Sequence, residues 1–160
     1  LVIATLHTND APTGVTRLLE LGVDPFVLAS TLVCVAAQRL LRLVCPDCRV
    51  ETFLLRDQMA MLGVDVDALD AGGDFRELMV PEGEGCVRCR NTGLYGRTGV
   101  FEVMEVDDKI RRMISVGASA KEMMRQARDD GLMTLREGAI KKLARGLTTF
   151  SEVLRVTTEA

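Results

Sequence analysis

Two pairs of cysteines carry the clearest chemistry in the sequence. The first pair is Cys45 and Cys48, and the second is Cys86 and Cys89. The spacing within each pair directs both sulfurs to one point, and four such thiolates are typical ligands of a tetrahedral zinc ion. We therefore predict a structural zinc site, because four thiolates leave no open position on the metal for water or a substrate. Two disulfides, or two unrelated redox motifs, are the alternatives for the same spacing.

A polar cluster near the start of the chain is the second candidate site. The apolar run before it, Leu1 to Leu6, has the composition of a buried strand and no initiating Met. We therefore expect the chain to be a fragment that begins inside a sheet. The cluster itself consists of Thr5, His7, Thr8, Asn9 and Asp10. At the carboxyl end of a strand these groups could polarise a phosphate, whereas the alternative for His7 is a structural histidine.

The sequence contains no complete phosphate-binding loop. The stretch from Gly117 to Lys121 has some likeness to the pattern G-x-x-x-x-G-K-[ST], but it lacks the second glycine and the hydroxyl after the lysine. A helix cap at Ser119 explains these residues better. The cluster around His7 therefore cannot hold a phosphate unaided, and we expect no complete catalytic site in this chain.

Composition and charge narrow the possible functions. The chain has 160 residues, 48% of them hydrophobic, and a formal net charge of −3. That length allows one or two domains, and the missing basic surplus disfavours nucleic acid as a partner. Five cysteines are an odd number, so we expect a reducing, cytoplasmic environment with Cys34 as a free thiol in the core. The longest nearly uncharged run, Phe26 to Ala37, is shorter than the about 20 residues that span a membrane.

The elements around the candidate sites have clear start and stop signals. Asp10 caps a predicted helix that ends at Gly22, and Asp24 with Pro25 opens a long buried helix to about Leu43. Between the cysteine pairs we predict a short helix from Arg56 to Leu62 and a loop over residues 71–74. A glycine-rich turn over residues 91–99 leads into a strand from Val100 to Met104.

The last third of the chain is predicted to be helical. Three capping boxes occur, formed by Ser119 with Glu122, Thr134 with Glu137, and Thr149 with Glu152. Glycines at 117, 131 and 146 follow the expected helix ends. Together these signals predict four short helices, at about 107–115, 120–130, 135–145 and 150–156.

These residues taken together resemble a known family. The run Leu1 to Asp10 resembles the histidine box of secretion ATPases, which follows the Walker B strand of their RecA-like motor domain. The likeness continues through Ala37–Leu40, both cysteine pairs, Gly93–Val103, residues 131–136 and residues 151–157. The order and spacing are similar to those of the GspE, PilB and PulE group. These are the assembly ATPases of type II secretion and type IV pili, whose metal-bearing insertion separates them from pilus-retraction ATPases.

The resemblance implies a fold and a division into domains. The fold is α/β: the C-terminal part of a RecA-like P-loop NTPase core, a small tetracysteine zinc-binding insertion, and a C-terminal bundle of short helices. Residues 1–44 would be the end of the ATPase core, residues 45–97 the zinc-binding subdomain with its insertion, and residues 98–160 the C-terminal strand and helical subdomain. The N-terminal domain, Walker A and Walker B would precede Leu1.

The resemblance also implies a function for the parent protein. It would be a cytoplasmic homo-hexamer that hydrolyses ATP with Mg²⁺ to power type II secretion or type IV pilus assembly. Its partners would be inner-membrane platform and adaptor proteins, which associate it peripherally with the inner membrane. Thr5 and His7 would be auxiliary catalytic residues near the γ-phosphate, and Arg97, with Arg39 a lesser candidate, would face the nucleotide or a neighbouring subunit. This chain alone would be inactive; the alternative from another class is a non-enzymatic zinc-ribbon module that binds a partner protein.

Overall fold

The computed structural model describes residues 1–63 and 79–158 of the chain. Its helices are α1 (Ala11–Glu20), α2 (Pro25–Thr31), α3 (Arg56–Met61), α4 (Asp108–Ser115), α5 (Ala120–Asp129), α6 (Leu135–Ala144) and α7 (Phe150–Thr158). Its strands are β1 (Cys34–Val44), β2 (Arg49–Phe53), β3 (Met79–Gly83) and β4 (Leu94–Glu105). Strand β1 pairs with β4, and β2 pairs with β3 in antiparallel orientation. The mixed α/β class is confirmed; the loop predicted at residues 71–74 lies outside the described residues.

The chain forms two compact units, and neither is a single continuous segment. The first unit contains Leu1–Arg39 and Val100–Gly138, and the second contains Leu40–Gly99 and Ala139–Thr158. The predicted domain boundaries at residues 44 and 97 lie near the two ends of the segment Leu40–Gly99. The division of the chain into three domains stays a prediction. Within residues 1–63 and 79–158, every helix is too short or too polar to span a bilayer.

Helices α1, α2, α4 and α5 form most of the core of the first unit. Helix α1 packs against α5, α2 packs against α4, and α4 also contacts α5. Val15, Ile110, Ile114 and Met123 are at most 1% exposed. Burial of each such side chain contributes about 1.5–3 kcal/mol relative to exposure. Met123 therefore serves core packing.

The second unit has its own buried side chains. Leu54, Met59, Leu62 and Val80 are buried around α3 and the β2–β3 pair, and Leu41 of β1, Leu143 of α6 and Val153 of α7 are also buried. Helix α3 and its end at Gly63 confirm the short helix predicted between the cysteine pairs.

The predicted helices of the last third are confirmed to within two residues at each end. Ser119 and Glu122 form a complete capping box, and so do Thr134 and Glu137. The third box is only half formed. The backbone N–H of Glu152 donates to Thr149 Oγ1 at 3.4 Å, but the carboxylate of Glu152 contacts arginines instead of the cap. The cap of α1 by Asp10, which accepts from the N–H of Thr13 at 2.8 Å, is also as predicted.

Strand β1 replaces most of the long buried helix that the sequence predicted from Pro25 to about Leu43. Helix α2 ends at Thr31, and the chain is extended from Cys34. Side chains along β1 alternate, so that Ala37 and Leu41 are buried while their neighbours are more exposed. In a run with few polar residues, the hydrophobic pattern cannot distinguish a helix from a strand. Here the run forms a strand because its backbone pairs with the distant strand β4. The helix prediction was wrong over this stretch.

The buried strand predicted at Leu1 to Leu6 is not formed. Leu1, Val2 and Ile3 are between 87% and 108% exposed. A strand requires a neighbour that accepts its backbone hydrogen bonds, and among the described residues none pairs with this run. The expectation that His7 lies at the end of a strand is therefore wrong for this structure. Cys34, expected in the core, is also exposed, because it begins β1 on the uncovered side.

Candidate functional site

The four cysteines of the two C-x-x-C pairs converge in the second unit, and their sulfurs all lie within 4.8 Å of one another. Sγ–Sγ distances are 3.8 Å for Cys45 with Cys86, 3.8 Å for Cys48 with Cys89, and 3.7 Å for Cys86 with Cys89. A tetrahedron with metal–sulfur bonds of about 2.3 Å has edges of about 3.8 Å, whereas a disulfide requires about 2.05 Å. The geometry therefore fits a four-thiolate metal site, and the cluster could hold a metal ion.

The antiparallel pair of β2 and β3 brings the two cysteine pairs together. Strand β2 starts directly after Cys48, and β3 ends shortly before Cys86. Their register pairs Arg49 with Gly83, so the two strand ends that carry the cysteines lie side by side. The N–H of Glu84 donates to the carbonyl of Cys48 at 3.1 Å and continues this contact to the cluster. The pairing of β2 with β3 therefore places Cys48 close to the second cysteine pair.

Two glycines allow the backbone to approach the cluster closely. A Cβ added to Gly83 would lie 2.1 Å from the carbonyl oxygen of Gly93, and one added to Gly93 would lie 2.3 Å from the carbonyl oxygen of Gly83. Gly93 also has a φ of +71°, which favours glycine. Its carbonyl accepts the N–H of Cys45 at 2.9 Å. Larger residues at these positions would separate the turn that carries the second pair from the first pair.

Backbone amides surround the sulfurs. Cys89 Sγ accepts from the N–H groups of Cys86 at 3.1 Å and Gly93 at 3.3 Å, and Cys48 Sγ accepts from the N–H of Gly85 at 3.3 Å. Burial opposes ionisation of Cys89, but these amides together with hydrogen bonds from the thiols of Cys86 and Cys48 outweigh it and lower the pKa of Cys89. Burial, with the neighbouring thiols, raises the pKa of Cys48. Burial and mutual repulsion thus oppose ionisation of all four thiols at once. A divalent cation would offset both effects, because it neutralises the negative charge of four close thiolates.

The two cysteine turns are also connected by side chains. Arg88 donates to Asp47 Oδ1 at 2.8 Å, and these residues lie inside the second and the first cysteine pair respectively. The guanidinium of Arg88 lies 4.5 Å from the ring centroid of Tyr95. Both partners of the ion pair are about half exposed, so solvent screens their attraction and the pair itself adds little to stability. Its main effect is to orient the turns.

The polar cluster near the start of the chain lies in the first unit. Thr5 and His7 are exposed. His7 and Asn9 line a shallow hollow of about 330 Å³ that runs along α1 as far as Glu20. Asn9 Oδ1 accepts a hydrogen bond from Arg39 Nη2 at 3.2 Å, so the lesser candidate Arg39 contacts this segment from β1. The structure thus brings His7, Asn9 and Arg39 near one another.

Arg97 is an exposed residue of β4 and belongs to the second unit. Thr5 and His7 belong to the first unit. The role of Thr5 and His7 near the γ-phosphate, and that of Arg97 towards the nucleotide or a neighbouring subunit, stay predictions.

Glu102 is a buried carboxylate that the sequence did not single out. It is 2% exposed and lies on the inward side of β4, where it accepts backbone N–H groups from Ala11 and Leu135. Burial is the largest influence and raises the pKa of Glu102, with Asp10 and Glu137 acting in the same direction. The signal in the sequence is the alternation Val100, Glu102, Met104, which puts a carboxyl group among inward-facing apolar residues.

Glu152 is a second buried carboxylate that the sequence reasoning treated only as part of a cap. It is 1% exposed and accepts from the side chains of Arg42 and Arg155 at 2.5–2.9 Å, and from the N–H of Arg42 at 2.9 Å. Burial alone would raise the pKa of Glu152, but the hydrogen bonds from Arg155 and Arg42 lower it from 4.5 to about 2. This carboxylate connects α7 to β1 within the second unit.

Comparisons with known proteins extend over nearly the whole chain. The family described as type II/IV secretion system protein matches residues 1–155. The chain is 43% identical over 159 residues to the type IV pilus assembly ATPase PilB of Thermus thermophilus, a match that covers 99% of this chain and 17% of that protein. It is 41% identical over 160 residues to the type II secretion system protein HxcR of Pseudomonas aeruginosa, a match that covers 100% of this chain and 29% of that protein. Type II secretion system protein E of the same organism is 40% identical to it over 159 residues, and this match covers 99% of this chain and 30% of that protein. The chain spans less than a third of the length of these relatives.

Proposed function

The chain belongs to the type II/IV secretion system protein family, and we propose that it is the C-terminal part of an ATPase that powers type II secretion or type IV pilus assembly. The observation that carries this proposal is the match of about 40% identity along the whole chain to proteins of both machines. One of these relatives is named an assembly ATPase. ATP binding then requires a phosphate-binding loop outside this chain, because no such loop occurs in its sequence.

The proposed architecture follows the same family. Residues 1–44 would complete a RecA-like ATPase core, residues 45–97 would form a metal-binding subdomain, and residues 98–160 would form the C-terminal strand and helical subdomain. The convergence of the four cysteines next to the β2–β3 pair supports the middle assignment. The full-length protein would act as a homo-hexamer in the cytoplasm. It would reach the inner membrane through platform and adaptor proteins of the machine, with no nucleic acid as a partner.

Zinc is the metal that we propose for the cluster, with Cys45, Cys48, Cys86 and Cys89 as ligands. Soft thiolates favour zinc over Mg²⁺ or Ca²⁺, and a tetrahedral arrangement suits it. When bound, zinc would supply cross-linking and charge neutralisation and no catalysis, because all four positions are taken by sulfur. The amides that donate to Cys89 and Cys48 would orient these ligands.

Thr5 and His7 are proposed as auxiliary catalytic residues near the γ-phosphate of ATP, with Mg²⁺ bound by groups outside this chain. Exposure of His7 in a hollow with Asn9 supports this role, since an exposed imidazole is accessible to a phosphate. Phosphoryl transfer depends mainly on positioning and on stabilisation of the developing charge, which one imidazole can assist. Arg97 is a further candidate for a contact with nucleotide or a neighbouring subunit.

Steady-state ATP hydrolysis by the full-length protein tests this function. We expect Mg²⁺-dependent turnover, and we expect His7→Ala to lower kcat by about ten- to a thousand-fold with little change in nucleotide affinity. The isolated 160-residue chain should neither bind nor hydrolyse ATP. A full-length protein without ATPase activity would contradict the proposal. Tight ATP binding by the isolated chain would show that the phosphate site is wrongly placed.

A further inference from the structure

Glu102 contacts the first residues of two helices, and these residues lie in the first unit together with Glu102. Its Oε1 accepts the N–H of Ala11 at 2.9 Å, and its Oε2 accepts the N–H of Leu135 at 3.3 Å. Ala11 begins α1 and Leu135 begins α6. Both contacts are buried and join residues 91 and 33 positions away from Glu102 in the sequence. One carboxylate on β4 therefore binds the N-termini of two helices that are distant in the chain.

This contact differs from the local caps of the same helices. Asp10 accepts from the N–H of Thr13 in α1, and Thr134 accepts from the N–H of Glu137 in α6. The first N–H groups of a helix have no partner inside the helix and carry partial positive charge, so a carboxylate binds them well. The local caps already stabilise the helix starts. What Glu102 adds is a fixed position of both starts relative to β4.

The N-terminus of α1 is joined directly to residues 5–10, which contain His7 and are called the His7 segment below. Ala11 follows that segment directly, and Asp10 at the end of the segment accepts the N–H of Thr13, so the position of the first turn of α1 limits where His7 and Asn9 can lie. We propose that Glu102 is a positioning residue that holds the His7 segment, through the N-terminus of α1, in a fixed relation to the N-terminus of α6. The inference rests on the proposed ATPase function, because it assigns Glu102 an effect on turnover through His7.

The test uses Glu102→Gln in the full-length protein. Glutamine keeps the size of the side chain, but its NH₂ group cannot accept a hydrogen bond, so one of the two helix contacts is lost. We expect kcat to fall by about ten- to a hundred-fold, as a small misplacement of a catalytic group does, with KM for ATP changed by less than about threefold. The double variant with His7→Ala should be no slower than His7→Ala alone, because both changes act through the same group.

Glu152→Gln is the matched control. Glu152 is also a buried glutamate, but it lies in the second unit and contacts neither α1 nor His7. Its variant should lose stability and keep the kcat of the folded protein. A slow His7→Ala together with normal kcat in Glu102→Gln, or losses that multiply in the double variant, would overturn this inference alone. Normal kcat in His7→Ala would contradict the proposed role of His7 and this inference with it.

A measurement on the unmodified full-length protein decides the matter if Glu102→Gln does not fold. Amide hydrogen exchange is followed at Ala11 and Leu135 with and without a non-hydrolysable ATP analogue and Mg²⁺. Since both amides donate to the same carboxylate, we expect the analogue to slow their exchange together. Slower exchange at Ala11 with no change at Leu135 would overturn the proposed coupling.

Discussion

At the scale of single residues, the hydrogen-bond donors around a sulfur determine how it acts as a ligand. Cys89 receives two backbone N–H groups, which stabilise its thiolate and contribute to its lowered pKa. Cys34 is exposed and lies outside the cluster. The two residues have the same chemistry in the sequence and different surroundings in the structure.

Cys89→Ser should therefore release the metal. A serine hydroxyl is a poor zinc ligand, and we expect affinity to fall by more than the about 10–100-fold that follows loss of an outer-shell partner. Elemental analysis of protein purified without chelators should give one zinc per chain in the unchanged protein and in Cys34→Ser, but not in Cys89→Ser. Absence of zinc from the unchanged protein would contradict the assignment.

At the scale of elements, two kinds of contact hold the strands and helices of the second unit. Glu152 connects α7 to β1 through Arg42 and Arg155. The backbones of Gly83 and Gly93 hold the end of β3 against the turn that precedes β4. The Glu152 contact depends on charge, so it should respond to pH. The contact between Gly83 and Gly93 depends on the absence of side chains, so it should respond to an added methyl group.

The Glu152 contact predicts a dependence of stability on pH. Because the folded protein lowers the pKa of Glu152 from 4.5 to about 2, its contribution is present above pH 4.5 and is lost as the pH falls from there towards 2. We expect a loss of about 2–3 kcal/mol, less than the whole pKa shift would give, because both arginines are partly exposed and solvent screens their attraction to Glu152. Glu152→Gln should be less stable at about pH 6, and the difference from the unchanged protein should shrink by about pH 2.5 in denaturant unfolding. A difference that does not depend on pH would contradict the role of this carboxylate.

The close approach of Gly83 and Gly93 predicts that a side chain at Gly93 destabilises the protein by a steric clash. Gly63 serves as the control, because it has a similar backbone conformation without the close neighbour. Gly93→Ala would place a Cβ 2.3 Å from the carbonyl oxygen of Gly83, whereas Gly63→Ala meets nothing within 4 Å. Both glycines have positive φ, +71° and +75°, so the two variants share the backbone penalty of about 1 kcal/mol. We expect Gly93→Ala to lose several kcal/mol more and to weaken zinc binding, since the carbonyl of Gly93 also accepts the N–H of Cys45. Equal losses in the two variants, measured by chemical unfolding and zinc titration, would refute the contact.

At the scale of the whole molecule, the features that could be predicted are those encoded locally. Helices α4 to α7 were found from capping residues and glycines a few positions apart, and the cysteine cluster was found because its ligand chemistry is so specific. Strand β1 was missed because its partner, β4, lies far away in the sequence. Glu102 was missed for the same reason, since its contacts span 91 and 33 residues.

Removal of the metal is the last prediction and concerns the second unit as a whole. A structural zinc contributes its binding free energy to folding, and the cluster fixes the ends of β2 and β3 together with the turn at Gly93. After chelation we expect amide exchange at Cys45 and Gly93 to accelerate by about tenfold or more, which corresponds to at least about 1.4 kcal/mol. Zn²⁺ should restore protection and Mg²⁺ should not, because thiolates are soft ligands. The amide of Val15, in the core of the first unit, serves as the internal reference, since none of the four cysteines belongs to that unit. Unchanged exchange at Cys45 and Gly93 after verified loss of zinc would mean that the metal does not hold this unit together.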